Sequence, residues 1–245
     1  MCNQVFILFT GYSHIDVDEP SAMRANCTCT LIRTSSGKNI IVDTMTAWDG
    51  DKIVTALREH NLQPLDIHIV VCTHGHSDHI GCNYLFQNAK WHFVGNSISH
   101  RDKYIEWSTD DSASFAIDGI DVAVQQTPGH TLSCVSVIAG NTPFGTVGVC
   151  GDLFERAEDI FDETLWLEAG SEDATKQRQQ RLRMAELCAY IIPGHGPGFK
   201  VTDKMLEKLR SDAGLQSISL TENIAEKLKA LDNTENEAVA LESKN

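Results

Sequence analysis

The chain has 245 residues, 42% of them hydrophobic, enough to bury a core in one domain with small additions. Asp and Glu number 34 against 20 Lys and Arg, a formal charge of −14 that excludes a generally basic nucleic-acid binder and disfavours an anionic membrane partner. Charged residues make up 22% of the chain, with 17 glycines and 6 prolines, so neither wide disorder nor collagen-like repetition is expected.

The apolar run at residues 5–9 follows no Lys or Arg and is too short for a secretory leader. No apolar stretch approaches the roughly 20 residues that span a bilayer. Eight cysteines are scattered along the chain, several in apolar runs such as Val71-Cys72 and Val149-Cys150. Together these features predict a cytoplasmic protein, not secreted and not membrane-bound, with buried reduced thiols.

Short strands bounded by turn residues are predicted at 5–10, 27–33, 39–43 and 67–71, with Gly37 turning the chain between the second and third. Residues 11–26 read as a long polar loop, of the kind that is often functional. A helix is predicted from Asp49 or Gly50 to about His60, with Ile53, Val54 and Leu57 on one face. Another is predicted over 79–85. Further strands follow at 91–94, 121–126, 134–139 and 146–150. Ser171 is the expected cap of a helix to about Cys188, followed by a strand at 190–192. Helices at 202–212 and 221–231 and a frayed tail at 232–245 complete the pattern. Two strand-rich halves, each with helices, predict an α/β (α+β) fold of two sheets packed face to face with helices outside.

The segment Cys72-Thr73-His74-Gly75-His76-Ser77-Asp78-His79-Ile80-Gly81 sets four metal-ligand side chains within six positions, between a strand and a helix. Crowded imidazoles would otherwise titrate near neutrality with no gain. On an extended backbone His74 and His76 point the same way, while Asp78 and His79 fall where the chain turns. Three further candidates sit at strand ends in glycine-rich turns: His130 in Thr127-Pro128-Gly129-His130-Thr131, Asp152 after Gly151, and His195 in Pro193-Gly194-His195-Gly196-Pro197-Gly198. Each alone reads as a cap or a surface group; together with the histidine segment they point to one site. His60, His68, His92 and His100 lack such companions and read as structural or solvated.

This set resembles the metallo-β-lactamase fold superfamily over roughly residues 5–199. The resemblance implies an αββα sandwich over 1–200, with 201–245 as a C-terminal helical extension and tail of the same domain. It implies that His74, His76 and His130 hold one metal, that Asp78, His79 and His195 hold a second, and that Asp152 bridges them. Imidazole with carboxylate suits Zn²⁺, two per chain, with Fe²⁺ or Mn²⁺ as alternatives. Asp78 would also act in catalysis, orienting the attacking water and accepting its proton. His14 lies in the loop that lines the active site in this superfamily, which makes it a candidate substrate contact.

Within the superfamily, Asp152 stands where the commonest β-lactamases carry Cys, and His76 argues against the flavodiiron members. The stretches Val42-Asp43-Thr44, Trp48-Asp49, 135–152 and Leu153-Phe154-Glu155-Arg156 are closest to a group assigned endoribonuclease activity in histone pre-mRNA 3′-end processing. That likeness implies an RNA substrate, a nuclear as well as cytoplasmic location, and a homodimer. A glyoxalase-II-like thioester or lactone hydrolase shares the seven residues, and a mononuclear iron persulfide dioxygenase uses a subset. Lys176, Arg178, Arg181 and Arg183 fall in one predicted helix, read as a solvated face or as phosphate contacts. No basic platform interleaved with aromatic residues is visible along the chain.

Overall fold

A computed structural model describes residues 2–107, 110, 113–119 and 121–214. The predicted helix at 221–231 and the tail at 232–245 lie outside the described residues. In chain order the first half contains β1 (Gln4–Phe9), β2 (Tyr12–Ile15), β3 (Met23–Asn26), β4 (Cys29–Arg33), β5 (Asn39–Val42), α1 (Gly50–Glu59), β6 (Ile69–Cys72), α2 (Ser77–Ile80), β7 (Trp91–Val94), β8 (Ser97–His100) and β9 (Lys103–Ile105). The second half contains β10 (Ser114–Asp118), β11 (Val122–Gln126), β12 (Val135–Thr142), β13 (Gly145–Gly151), α3 (Thr164–Ala169), α4 (Ala174–Leu187), β14 (Tyr190–Pro193), β15 (Phe199–Lys200) and α5 (Asp203–Asp212).

Strands β1 and β4–β9 form a seven-stranded sheet, and β10–β15 form a six-stranded one. Their inner faces pack on each other because side chains alternate along each strand. Ile40 and Val42 of β5 and Ile69 and Val71 of β6 enter the shared core with Val122, Val124, Val137, Val149 and Ile192 of the second sheet. The intervening Ile41 and Val70 face outward against Ile53 and Leu57 of α1. On the far side, Ile138 and Ile191 pack against Leu182, Met184 and Ala185 of α4 and Leu209 of α5. The layers are therefore helix, sheet, sheet, helix, as expected.

Several local expectations change. Residues 11–26 are not a loop: β2 and β3 pair as a separate antiparallel hairpin, with Tyr12 opposite Asn26 and His14 opposite Arg24. Its polar composition hid it, because neither face enters a core. The predicted helix at 79–85 is broken into α2 and a 3₁₀ turn at Asn83–Leu85. The break is at Gly81, whose backbone lies so close to the Thr46–Ala47 segment that a Cβ would sit 2.2 Å from the Ala47 nitrogen. The helix expected from Ser171 starts at Ala174, where the Asp173 carboxylate accepts from the Lys176 amide at 3.0 Å. Strands β8, β9 and β10 and helix α3 were not anticipated, being short and only partly apolar.

The basic face expected on α4 is largely dismantled. Arg181 is buried against Asp159, 2.5 Å away, and donates to the Leu153 carbonyl at 2.8 Å. Arg178 makes a two-pronged pair with Glu163, and Arg183 donates to Gln180 at 2.8 Å. Asp159 also accepts from the Glu155 amide at 2.7 Å, so the Arg181–Asp159 pair ties α4 to the segment leaving β13. Removing one partner would strand a buried charge. Asp159→Ala is therefore expected to cost about 3–5 kcal/mol, read as a drop in the urea midpoint at unchanged slope. Loss of under about 1 kcal/mol would show that the pair behaves as an exposed one.

Candidate metal centre

The strand ends determine where the histidines and aspartates meet. His74, His76, Asp78 and His79 follow the C-terminal end of β6, His130 follows β11, Asp152 follows β13 and His195 follows β14. β13 and β14 run parallel, with Gly151 beside Pro193, which places Asp152 and His195 side by side. The sheets are joined at this edge by the Val135 amide donating to the Thr73 carbonyl at 2.9 Å. Gly194 must lack a side chain, because a Cβ there would lie 1.9 Å from Asp152 Oδ1.

All seven predicted residues converge. Donor atoms of His74, His76, His130 and Asp152 lie within 4.8 Å of one another, as do those of Asp78, His79 and His195. In the first group His74 Nε2 is 2.8 Å from His76 Nδ1, His130 Nε2 is 3.2 Å from the same atom, and Asp152 Oδ2 is 3.5 Å and 3.4 Å from His74 and His130. In the second, Asp78 Oδ2 is 3.8 Å from both His79 Nε2 and His195 Nε2. Asp152 reaches this group too, at 3.2 Å from His79 and 3.3 Å from His195. Its Oδ2 faces His74, His130 and His195, while Oδ1 faces His79, so one carboxylate adjoins both groups.

Outer partners fix which nitrogen faces inward. His130 Nδ1 donates to the Gly170 carbonyl at 2.7 Å, and His195 Nδ1 to the carbonyls of Asn26 at 3.1 Å and Tyr12 at 3.2 Å. His79 Nδ1 donates to Asp43 Oδ2 at 3.0 Å. Thr73 gives its hydroxyl to Asp43 and sits 3.2 Å from His74 Nδ1. Each arrangement places the proton on Nδ1 and turns an Nε2 lone pair toward Asp152. Buried lone pairs facing carboxylate oxygens are unfavourable without a cation between them. Asp78 Oδ2, His79 Nε2 and Asp152 Oδ1 are buried and have no hydrogen-bond partner among the described residues. The donor set therefore fits a divalent metal site.

The electrostatics of Asp152, His74 and His130 agree, whereas burial of His79 is outweighed by the Asp152 and Asp43 carboxylates, which hold it well above its ordinary value until a cation replaces the proton. Burial opposes the charge on Asp152, but His79, His195 and His74 outweigh it and hold the carboxyl well below the usual range. Burial pushes His74 and His130 down, favouring the neutral imidazole that a metal requires. Burial would also strip His195 of its proton, but the adjoining Asp152 carboxylate pushes it up to about 9.

The structure also reveals residues not singled out from sequence. Asp43, in a left-handed conformation at φ 59°, accepts from the Thr73 amide at 2.7 Å while holding His79. Its signal was its place at the end of β5 in Val42-Asp43-Thr44. Glu155 stands 4.0 Å from His195, and burial together with Asp152 pushes it up to about 8. Arg156 donates to the Ser13 hydroxyl at 2.6 Å and its carbonyl at 3.1 Å, clasping the hairpin whose carbonyls orient His195. His14 stands exposed on β2, 5.6 Å from the Tyr12 ring, outside both donor groups. His60, His68, His92 and His100 all serve structural contacts.

Two outcomes follow. Asp43→Ala frees the His79 ring and should weaken zinc binding about 10- to 100-fold in competition with a chromophoric chelator; unchanged affinity would contradict the orienting role. His195, raised in the metal-free protein, stabilises that form below its ordinary value of 6.5 and loses this contribution as pH rises through about 9. Zinc must displace the same proton. The gain in melting temperature on adding zinc should therefore grow from pH 6.5 to 9, and a gain that shrinks over that window would contradict it.

The family profile of the metallo-β-lactamase superfamily matches residues 23–195. A Xenopus laevis protein described as metallo-β-lactamase domain-containing protein 1 is 35% identical over 81% of this chain and 82% of its own length. The human protein of that description is 37% identical over 66% of this chain, which spans only 59% of it. A hydroxyacylglutathione hydrolase from Klebsiella pneumoniae is 28% identical over 58% of the chain and 57% of its own length. Among solved structures, a Thermotoga maritima protein assigned to the metallo-β-lactamases superposes with a TM-score of 0.60 at 19% identity, covering 82% of this chain and 100% of that one. With its sandwich, its strand-end donor set and these relatives, the chain belongs to the metallo-β-lactamase superfamily.

Proposed function

We propose that the protein is a two-zinc hydrolase that cuts phosphodiester bonds in single-stranded RNA, an endoribonuclease of the kind used in histone pre-mRNA 3′-end processing. The observation that carries the hydrolase reading is Asp152, shared by two donor groups at 3.2–3.5 Å. His74, His76 and His130 would hold one zinc, and Asp78, His79 and His195 the other. The RNA reading is supported by the sequence resemblance alone; the Xenopus and human relatives, 35% and 37% identical, are described only as metallo-β-lactamase domain-containing protein 1.

When bound, the metal pair supplies Lewis acidity and lowers the pKa of water toward neutrality. The chain's own groups supply the rest. Asp78 is less buried than Asp152, and its unpartnered Oδ2 is suited to orient the attacking water and receive its proton. Asp43, Gly170 and the hairpin carbonyls keep the imidazoles oriented, so little reorganisation is needed as charge develops. His76 is exposed while His74 and His79 are fully buried, so substrate approaches from the His76 side. A scissile phosphate would find local cations there despite the net charge of −14.

A thioester hydrolase is the second reading, favoured by the hydroxyacylglutathione hydrolase relative at 28% identity. The two separate in one paired assay. Zinc-loaded protein incubated with labelled single-stranded RNA and with an acyl-glutathione is expected to cleave the RNA. Asp78→Asn should lower that rate about 10²- to 10⁴-fold, and chelation should abolish it. Cleavage of the thioester alone, at full metal loading, would overturn the nuclease reading.

A further inference from the structure

Most large apolar side chains are buried, yet the most exposed aromatic residue lies near the metal centre. Trp48 is 90% exposed, and Tyr84 and Tyr12 are 60% and 41% exposed. They are distant in sequence and are brought together by the fold. Tyr84 lies against the start of α1, where a Cβ on Gly50 would come within 2.6 Å of its hydroxyl, two residues from Trp48. Lys52, on the first turn of α1, reaches Asp49 at 2.6 Å and lies 5.6 Å over the Phe9 ring. Phe9 in turn meets the Tyr12 ring at 6.4 Å. The result is a strip of three exposed aromatic positions around the start of α1, with the exposed Lys52 paired to Asp49.

The strip is connected to the metal centre through Asn26. The Asn26 carbonyl accepts from His195 Nδ1 at 3.1 Å, while its amide donates to Asp49 at 2.8 Å, the residue after Trp48. The Tyr12 carbonyl also accepts from His195, at 3.2 Å. On the other side, Thr46 and Ala47 pack on Gly81, which ends the helix carrying Asp78 and His79. Trp48 thus stands on a loop braced from both sides by the second donor group.

We propose that this strip is the base-stacking platform that presents single-stranded RNA to the metal centre, an inference that rests on the endoribonuclease reading above. Every nucleobase offers a flat face, and stacking on aromatic side chains is sequence-tolerant and adds affinity beside any cationic contact to the backbone. The uncharged rings take the bases without drawing phosphates onto carboxylates.

The test uses the zinc-loaded full chain and a short fluorescein-labelled single-stranded RNA with phosphorothioate linkages, which slow attack by water so that binding is read ahead of cleavage. Trp48→Ala is expected to weaken binding about 5- to 100-fold, the worth of one base–aromatic stack. Trp48→Phe should restore most of it, and RNA should quench the Trp48 emission of the wild type. Zinc content and melting temperature report whether each variant is intact, and Tyr84→Ala provides a second, independent loss. Equal affinity of wild type and Trp48→Ala, or no binding by the wild type, overturns the platform. If the variant loses binding but unmodified RNA is not cut by the wild type, the nuclease reading fails and the platform stands. If unmodified RNA is cut while Trp48→Ala binds normally, the platform fails and the nuclease reading stands.

Discussion

The inward-facing lone pairs on His74, His79, His130 and His195 constrain everything around them. Each is fixed by a partner on the far side of its ring: Thr73, Asp43, the Gly170 carbonyl, and the carbonyls of Tyr12 and Asn26. Those partners come from β2, β3, the end of β5, the start of the β6 turn and the residue after α3. To hold four imidazoles at one carboxylate, the fold must bring all these segments to the same edge. The parallel β13–β14 pair and the cross-sheet Val135–Thr73 hydrogen bond accomplish that. The sandwich acts as a frame for one polar contact surface between two sheet edges.

Much of this was legible in the sequence because the signals are local. A strand followed at once by His-x-His-x-Asp-His is a contiguous pattern, and His130, Asp152 and His195 each sit in a glycine-rich turn after a strand. The apolar runs of β5 and β6 marked them as strands, but being apolar on both faces they did not tell the inner face from the outer one. Non-local features were harder to read. The β2–β3 hairpin buries little apolar surface, so its pairing leaves no periodicity to detect. Arg181 reads as a surface cation on α4, and only the fold brings Asp159 to it. The aromatic strip draws on positions 12, 48 and 84, which no window of sequence contains.

The hairpin and the Leu153–Arg156 segment show how a common frame becomes particular to this chain. Arg156 clasps Ser13, Asp159 receives the Glu155 amide, and Arg181 anchors Asp159 to α4. Orientation of His195 therefore depends on a relay reaching from α4 to β2. The same hairpin supplies Tyr12 to the exposed strip. The orientation of His195 and the placement of Tyr12 thus both depend on one element that is held by contacts rather than by a core of its own.

Asp152 adjoins both donor groups at 3.2–3.5 Å. Metal analysis of purified protein after zinc loading, compared between wild type and His195→Ala, tests most directly whether each group holds an ion. Two zinc ions per chain in the wild type and one in His195→Ala are predicted, because His74, His76, His130 and Asp152 survive the substitution. One zinc in both proteins would show that Asp78, His79 and His195 do not hold a second ion.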